Sequence, residues 1–312
     1  MQSKTVLITG GAGFVGRNLA NIFVDKGYKV IILDNLSSGF IKSLNKKVIL
    51  IQGSILDEKA LTKSFKFKPK KVIHLAALFA NQNSVEHPET DLRVNGIGTL
   101  KLLQFCKKYS VKKIIYTSSS CVYGNKKKMK ENDALKPGTP YAITKLLGEF
   151  YVKFWSEYYN MNIVVVRLFN VYGPGDYPGK YRSVIPNFIQ SAIEKKSLKI
   201  TGTGKETRDF TYIDDVTNII YKLSNIKKNK FDIINIGSGK SENILNIAKI
   251  INQISQNPKK VLLKKARKWD DVPHRSANNI KLKKYIKNHK FTSIENGLKK
   301  TYKWMQMIKN NK

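Results

Sequence analysis

The chain has 312 residues, of which 41% are hydrophobic, so it can bury the core of one large or two modest domains and is not intrinsically disordered. Its net charge of +35 suggests a nucleic-acid partner, but only seven of its 57 basic residues are arginine, the side chain that binds bases and phosphates bidentately. We therefore expect no nucleic-acid partner, although a positive field of this size would attract an anionic diphosphate substrate.

The two cysteines, Cys106 and Cys121, are too few for a disulfide framework and lack the spacing of metal ligands, so we expect no bound metal. This cysteine usage fits a reducing, cytoplasmic location. The chain contains no run of about 18 apolar residues, and Met1 is followed closely by a short apolar strand. We expect neither a membrane span nor an export signal.

Short β-branched segments alternate with helical patterns in the first half of the chain. The predicted strands are residues 5–9, 29–33, 48–52, 71–75, 113–117 and 162–168. The predicted helices are residues 14–26, 57–65, 89–108 and 140–159. Several of the strands are apolar on both faces, which is typical of a parallel sheet covered by helices. The alternation predicts an α/β fold with a Rossmann-type, doubly wound parallel sheet.

The pattern changes after residue 170, where a loop rich in turn residues precedes a predicted helix at 183–195. Residues 231–236 predict one more buried strand, and the chain from 241 onwards is mainly helical. We therefore predict a first domain of residues 1–170, to which 211–240 return. Residues 171–210 and 241–312 form a smaller, mostly helical second domain.

A glycine-rich segment lies between the first predicted strand and helix. Gly10, Gly13 and Gly16 allow a sharp turn, a close approach to a pyrophosphate and tight packing of the helix on the sheet. The helix N-terminus then offers N–H groups and a positive dipole to the phosphates. Asp34 ends the second strand, where a carboxylate hydrogen-bonds the adenosine ribose and repels a 2′-phosphate. These residues predict NAD rather than NADP as cofactor.

Tyr141 and Lys145 are four residues apart in a segment that begins Thr139-Pro140, a favourable start for a helix. This spacing puts the phenol and the ammonium on one helix face. A nearby cation lowers the pKa of a phenol towards neutrality, so that it can take a proton from a sugar hydroxyl. The serines of the preceding strand end, Ser118 to Ser120, provide a hydroxyl for the reacting oxygen.

Eight segments follow one another through nearly the whole chain. They are TGGAGFVG (9–16), LDNLSSG (33–39), HLAA (74–77), TSSSCVYG (117–124), YxxxK (141–145), RLFNVYGPG (167–175), TRDFTYIDDV (207–216) and NIGSG (235–239). In this order and spacing they resemble the extended short-chain dehydrogenase/reductase family, which includes the nucleotide-sugar epimerases and dehydratases. The resemblance implies that the first domain binds NAD and the second binds a nucleotide sugar.

The resemblance also implies residue roles by position. The cofactor would be held by Gly10, Gly13, Phe14, Val15, Gly16, Asp34, Asn35, Ser54, Ile55, Leu75, Ala76, Ala77, Asn95, Tyr141 and Lys145. Ser119, Tyr141 and Lys145 would be catalytic. The nucleotide sugar, with UDP favoured, would be held by Ser119, Asn170, Ser183, Val184, Arg208 and Arg275. Members of the family usually form homodimers through two helices per subunit, here residues 89–108 and 140–159.

The favoured reaction is 4-epimerisation of a UDP-hexose or UDP-N-acetylhexosamine through a transient 4-keto sugar. The family's 4,6-dehydratases carry Asp-Glu where this chain has Ser120 and Cys121, which removes the acid that expels the 6-hydroxyl. Cys121 leaves an alternative open, because a thiolate could take a proton next to the keto group, as in a UDP-N-acetylglucosamine 5,6-dehydratase or a 3,5-epimerase. Cys121 as a small apolar core residue, and a non-catalytic dinucleotide-binding protein, are the remaining interpretations.

Overall fold

The computed structural model describes residues 4–39, 41, 44–226, 231–267 and 272–310, which divide into two compact units. The first comprises the described residues of Met1–Val122, Pro137–Arg167 and Thr217–Ile234. The second comprises those of Tyr123–Lys136, Leu168–Val216 and Asn235–Lys312. That the first unit binds the cofactor and the second the nucleotide sugar stays a prediction.

The strands and helices of the described chain are numbered in chain order. The strands are β1 (Thr5–Thr9), β2 (Lys29–Asp34), β3 (Ile49–Gln52), β4 (Lys71–His74), β5 (Lys113–Ser119), β6 (Lys128–Met129), β7 (Ile163–Leu168), β8 (Asn170–Tyr172), β9 (Lys199–Thr201), β10 (Thr207–Arg208), β11 (Phe210–Tyr212), β12 (Phe231–Ile236), β13 (Glu242–Asn243), β14 (Leu262–Lys264) and β15 (His274–Ala277). The helices are α1 (Phe14–Asp25), α2 (Glu58–Phe65), α3 (Asn81–Glu86), α4 (Pro88–Asp91), α5 (Gly98–Lys108), α6 (Pro140–Tyr158), α7 (Val184–Ile193), α8 (Ile213–Asn225), α9 (Ile244–Ser255), α10 (Ile280–Tyr285) and α11 (Ile294–Asn310).

A seven-stranded sheet with the order β12-β7-β5-β4-β1-β2-β3 forms the centre of the first unit. The pairings among β1 to β5 are parallel, and strand order reverses beside β1, as in a doubly wound fold. The predicted Rossmann-type sheet is confirmed. Apolar side chains of the strands and of the covering helices form one buried cluster, which includes Leu7, Ile31, Leu33, Phe65, Val72, Leu102, Leu103, Ile114 and Val165.

The helix predicted at residues 89–108 is wrong as a single element. Helix α4 ends at Asp91, a π-helical segment covers Leu92–Ile97, and α5 begins at Gly98. The wider turn is stabilised by the hydroxyl of Thr99, which donates to the carbonyl of Asn95 at 2.6 Å. Single π-helical turns inside longer helices are frequent at functional sites, and this one carries Asn95.

Helix α6 is held closely against the central sheet. A Cβ added to Gly148 would lie 2.0 Å from the hydroxyl oxygen of Tyr116 on β5, so only glycine allows this approach. The Tyr116 hydroxyl donates to the carbonyl of Lys145 at 3.1 Å. One turn further on, Glu149 forms a buried salt bridge with Arg167 of β7, with 2.7 Å between an Arg167 Nη atom and Oε2. These contacts fix α6 against β5 and β7 of the sheet.

The second unit contains α7, α9, α10 and α11 with small sheets of short strands. Strands β13, β10, β15 and β6 form one sheet, and β8 pairs with β11 and β9 with β14. The helices after residue 241 agree with the prediction that this part of the chain is mainly helical. The sequence analysis missed the strands there, because a strand of two to four residues is too short to show a period-two pattern. Among the described residues, no helix has the length and apolarity needed to cross a membrane.

Candidate active site

The glycine loop after β1 leaves almost no room for side chains. Gly10 has φ +68°, and a Cβ there would lie 2.6 Å from the backbone nitrogen of Ala76. A Cβ on Gly16 would lie 2.4 Å from the carbonyl oxygen of Gly10, whereas one on Gly13 would lie 3.2 Å from the same atom and could be accommodated by a small shift. The loop therefore keeps α1 close to the end of β1.

The N-terminus of α1 is open to an anion. Gly13 is the N-cap residue, and it has no side chain that could cap the helix. The described first turn of the helix contains no acidic residue. Orphan N–H groups and the positive end of the helix dipole are the features that bind a pyrophosphate. Together with the tight glycine loop, they fit the dinucleotide that the sequence predicts.

Asp34 lies at the end of β2 and is 8% exposed. Its carboxylate accepts hydrogen bonds from the backbone nitrogens of Ala12 at 2.9 Å and Leu36 at 2.8 Å. Each oxygen keeps a second acceptor position, so the carboxylate can also accept from a ribose hydroxyl. The contact to Ala12 joins Asp34 to the glycine loop, which puts both predicted cofactor elements in one place.

The other predicted cofactor residues follow neighbouring strands at the same edge of the sheet. Register pairs Thr9 with both Leu33 and His74, and Asp34 with Gln52, so the segments after β1, β2, β3 and β4 leave the sheet side by side. These segments carry Phe14, Val15, Asn35, Ser54, Ile55, Leu75, Ala76 and Ala77. Their direct contact with NAD stays a prediction, which the topology supports because ligands of doubly wound sheets bind at this edge.

Asn95 is 1% exposed and is tied to the segment after β4. Its Oδ1 accepts from the backbone nitrogen of Leu78 at 2.8 Å. Its Nδ2 donates to Asp91 at 2.8 Å, and Thr144 of α6 donates to the same carboxylate at 2.6 Å. Asn95 thereby connects the π-helical segment to the loop after β4, and the buried carboxylate of Asp91, which the sequence analysis did not single out, connects it to the helix of Tyr141.

Tyr141 and Lys145 lie on one face of α6, which begins at Pro140 with Thr139 as its N-cap. Lys145 is 3% exposed, and its Nζ donates to the carbonyl of Thr117 at 3.0 Å. The same Nζ lies 5.8 Å from the centre of the Tyr141 ring. The predicted arrangement of phenol and ammonium on a common face is therefore present.

Ser119 and Cys121 join this pair from the end of β5. Ser119 lies close enough to Tyr141 to lower the pKa of its phenol, and its Oγ accepts from the backbone nitrogen of Cys121 at 3.2 Å. The thiol of Cys121 is half-buried and accepts from Asn81 Nδ2 at 3.5 Å. Four candidate catalytic residues of the first unit, Ser119, Cys121, Tyr141 and Lys145, are thus brought together.

The expected lowering of the Tyr141 pKa is not found in the protein alone. Burial raises the pKa of Tyr141 above its ordinary value, the thiol of Cys121 and the carboxylate of Asp91 raise it further, and the hydrogen bond from Ser119 opposes them. Burial lowers the pKa of Lys145 to about 8, although Asp91 and Glu149 favour the ammonium. Loss of solvent is the largest effect on the Tyr141 phenol, and the Lys145 ammonium donates its hydrogen bond to the backbone carbonyl of Thr117.

His74 has no free position for acid–base chemistry. Its ring nitrogens hydrogen-bond the hydroxyls of Thr9 at 2.8 Å and Thr99 at 2.9 Å. Complete burial, with the charge of Lys145 in addition, lowers the pKa of His74 to about 3, so the imidazole is neutral. This agrees with the structural role that its place at a strand end suggests.

The predicted substrate residues lie in the second unit, apart from Ser119. Arg208 of β10 and Arg275 of β15 are register partners on parallel strands, so the structure brings these two arginines together. Asn170 begins β8, whose partner β11 follows Arg208 closely in the chain. Ser183 and Val184 mark the start of α7, where the hydroxyl of Ser183 donates to Asp176 at 3.0 Å.

A family model described as the NAD dependent epimerase/dehydratase family matches residues 6–237. The chain belongs to this family. The resemblance drawn from the eight sequence motifs is therefore confirmed, as are the predicted cofactor, NAD, and the prediction that the chain is an enzyme.

Similar proteins cover nearly the whole chain. An epimerase structure from Methanothermobacter thermautotrophicus is 40% identical, with a TM-score of 0.95 and coverage of 99% of this chain and 94% of the other. The UDP-glucose 4-epimerase of Thermotoga maritima, solved with UDP-glucose, is 33% identical, with a TM-score of 0.93 and coverage of 97% and 99%. A UDP-glucuronate 4-epimerase of Thermodesulfobacterium geofontis is 34% identical over 96% of this chain and 95% of its own.

Gly10→Ala tests the glycine loop. We expect NAD affinity to fall by about tenfold or more, because the new methyl group collides with the backbone of residue 76 and displaces the phosphate-binding turn. Gly27→Ala is the matched control, since Gly27 also has a left-handed φ of +74° but no atom within 4 Å of an added Cβ. The control should lose roughly 1–2 kcal/mol of folding stability and keep its NAD affinity. Equal NAD affinities of the two variants in calorimetric titrations would contradict the assignment.

Proposed function

We propose that this enzyme interconverts the 4-epimers of a UDP-hexose or UDP-N-acetylhexosamine through a transient 4-keto sugar. The observation that supports this most directly is the buried ammonium of Lys145, whose Nζ lies 5.8 Å from the centre of the Tyr141 ring, with Ser119 close enough to act on the same phenol. This group lies at the carboxyl edge of the sheet, where the glycine loop also lies. A phenol, a hydroxyl and an ammonium at this edge suit the removal and return of a hydroxyl proton.

We assign NAD to the edge formed by the glycine loop, Asp34 and the segments after β3 and β4. When bound, oxidised NAD supplies a hydride acceptor and a positive charge, neither of which a protein side chain of this site provides. Gly10, Gly13 and Gly16 admit the pyrophosphate to the N-terminus of α1, and Asp34 accepts from the adenosine ribose.

Three side chains of the first unit, Tyr141, Ser119 and Lys145, have separate roles in the proposed proton transfer. Tyr141 accepts the proton of the 4-hydroxyl and later returns it to the 4-oxygen of the keto sugar, so it ends each turnover in its starting state. Ser119 hydrogen-bonds both the phenol and the reacting oxygen. Lys145 keeps a positive charge next to the phenolate, which favours its formation. No second substrate is needed, because the reaction has no net oxidation.

The choice of a UDP-sugar rests on the relatives and on the second unit. The Thermotoga relative was solved with UDP-glucose, and the Thermodesulfobacterium relative is a UDP-glucuronate 4-epimerase. Arg208 and Arg275, adjacent on paired strands, present the type of side chain that binds a diphosphate bidentately. Asn170, Ser183 and Val184 complete the proposed substrate set. The cytoplasmic location of the enzyme remains a proposal from its sequence.

Tyr141→Phe tests the proposed role of the phenol. We expect turnover to fall by about a thousandfold or more, because the proton acceptor is lost while the ring and its packing against Phe79 remain. Affinities for NAD and UDP should stay within about twofold, which calorimetry measures directly. A variant that retains the wild-type rate would refute the role of Tyr141, and one that loses NAD binding would point to a structural effect.

A second candidate function is favoured by the position of Cys121. Its thiol accepts a hydrogen bond from Asn81, its backbone nitrogen donates to the proposed catalytic Ser119, and its charge would act on Tyr141. Cys121 is half-buried among polar groups. Cys106, in contrast, is fully buried, and burial raises the pKa of its thiol. If Cys121 removes a proton beside the 4-keto group, the product is that of a 5,6-dehydratase or a 3,5-epimerase.

Cys121→Ala separates the two functions. For 4-epimerisation we expect the variant to keep its rate within about threefold, since the thiol takes no part in proton transfer at the 4-hydroxyl. Reactions with a panel of UDP- and GDP-sugars in deuterated water, followed by NMR, give the second readout. Deuterium at carbon 3 or carbon 5 in the wild type, absent in the alanine variant, would favour the second function over the first.

We further propose that the enzyme is a homodimer formed through α6 and the helices around the π-helical segment. Four large side chains of α6 are exposed along one face at helical spacing, namely Ile143 at 54%, Phe150 at 62%, Phe154 at 49% and Tyr158 at 71%. Leu92 and Ile97 of the π-helical segment are exposed by 48% and 45%. An apolar surface of this extent is typical of a protein–protein interface.

Phe150→Glu tests this interface. We expect the variant to be monomeric by light scattering at micromolar concentration, because a carboxylate is buried without a partner when two copies meet. Met307→Glu is the matched control. Met307 has a similar exposure, 65%, but it lies on α11, which belongs to the second unit, whereas α6 belongs to the first. The proposal fails if the Phe150 variant stays dimeric or if both variants dissociate alike.

A further inference from the structure

Two buried carboxylates act on Lys145, and the protein compensates them differently. Glu149 is neutralised by Arg167, whose Nε donates at 2.9 Å to one carboxylate oxygen while an Nη atom donates at 2.7 Å to the other. Asp91 is 0% exposed and, in the part of the chain that the structure describes, forms no salt bridge. Within the described chain, Lys145 is therefore the cation on which the charge of Asp91 acts.

The hydrogen bonds of Asp91 hold it rigidly. One carboxylate oxygen accepts from Asn95 Nδ2 at 2.8 Å and the other from Thr144 Oγ1 at 2.6 Å. Burial raises the pKa of Asp91, which the hydrogen bond from Thr144 and the charge of Lys145 oppose. A donor facing each of the two oxygens favours the ionised form. Thr144 directly precedes Lys145 in α6, so the carboxylate is anchored to the helix that carries both proposed proton-handling side chains.

We propose that Asp91 is a positioning residue whose fixed negative charge balances the Lys145 ammonium and sets the pH range in which Tyr141 and Lys145 act together. This inference rests on the proposed 4-epimerisation for its kinetic consequence. Its electrostatic part concerns only residues of the first unit and can be measured without a sugar substrate.

Other titratable groups around the pair cannot replace Asp91. His74 of β4 is neutral, because burial lowers its pKa to about 3. Tyr116 of β5 is fully buried, and burial raises its pKa well above the usual value, so it carries no charge either. Cys121 acts on Tyr141 and is not among the groups that act on Lys145, and Glu149 is paired with Arg167. Removing the charge of Asp91 therefore changes the local field most.

The direction of the effect follows from the two pKa values. Burial lowers the pKa of Lys145 to about 8, and Asp91 opposes this by stabilising the ammonium. The same negative charge raises the pKa of Tyr141, because it destabilises the phenolate. Neutralising Asp91 should therefore lower both pKa values together, and both limbs of the pH profile should move towards lower pH.

Asp91→Asn removes the charge with little change in shape. The new side-chain oxygen can still accept from Asn95, and the new amide can donate to Thr144, whose hydroxyl has the carbonyl of Tyr141 at 3.2 Å as an alternative acceptor. We expect both limbs of the pH profile of kcat/KM to shift by about one unit towards lower pH. Asp91→Ser, a second neutral variant, should move them in the same direction.

Thr144→Ser is the matched control, because it changes a side chain in contact with Asp91 but keeps the hydroxyl that donates to the carboxylate, and with it the charge. Its limbs should stay at their wild-type positions even if its rate falls. The inference is overturned if the neutral variants lose activity with unmoved limbs, or if Thr144→Ser moves them equally, since either result assigns Asp91 a purely structural role.

A substrate-free measurement keeps this result separate from the proposed function. Protein with ¹³C at the lysine ε-carbons is titrated by NMR, and the Lys145 signal is assigned by its loss in Lys145→Arg. We expect the titration midpoint of Lys145 to fall in Asp91→Asn, whereas an unchanged midpoint refutes the electrostatic role. An enzyme that shows this shift but no 4-epimerisation would refute the proposed function alone.

Discussion

The site depends on burying one ammonium group at the carboxyl edge of a parallel sheet. Lys145 is almost inaccessible, and its Nζ is held by the carbonyl of Thr117 at the end of β5. That position requires α6 to approach β5 closely, which Gly148 permits by lacking a side chain next to Tyr116. The buried Glu149–Arg167 pair then joins the same helix to β7. Tyr141 and Ser119 can meet only because this helix is fixed in place.

Burial shifts the pKa values of both Tyr141 and Lys145. A phenol in the interior holds its proton, because loss of solvent raises the pKa of Tyr141, and a buried ammonium gives up its proton more easily, because burial lowers the pKa of Lys145. Additional positive charge must therefore arrive before the phenol can act as a base. An oxidised nicotinamide carries such a charge, which would couple cofactor binding to the proposed proton transfer.

Sequence patterns predicted the parts of this structure that depend on local rules. Strand β1, the glycine loop and the start of α6 at Thr139-Pro140 follow from apolar runs, missing side chains and helix capping, all within a few neighbouring residues. The buried charge network was missed, because Asp91 and Thr144 are 53 residues apart and Glu149 and Arg167 are 18 apart. The sequence does not show whether an aspartate or glutamate is buried or exposed. The direction of the Tyr141 pKa shift could not be predicted for the same reason, because it depends on how completely the folded chain excludes water from the phenol.

The central claim is that the enzyme oxidises carbon 4 of a nucleotide sugar and returns the same hydrogen to the opposite face. The most direct measurement uses UDP-glucose and UDP-N-acetylglucosamine labelled with deuterium at carbon 4, incubated with the wild-type enzyme and NAD in ordinary water. NMR of the products should give the 4-epimer with the deuterium still on carbon 4. Recovery of both sugars unchanged, or inversion with loss of the label to water, would contradict the account.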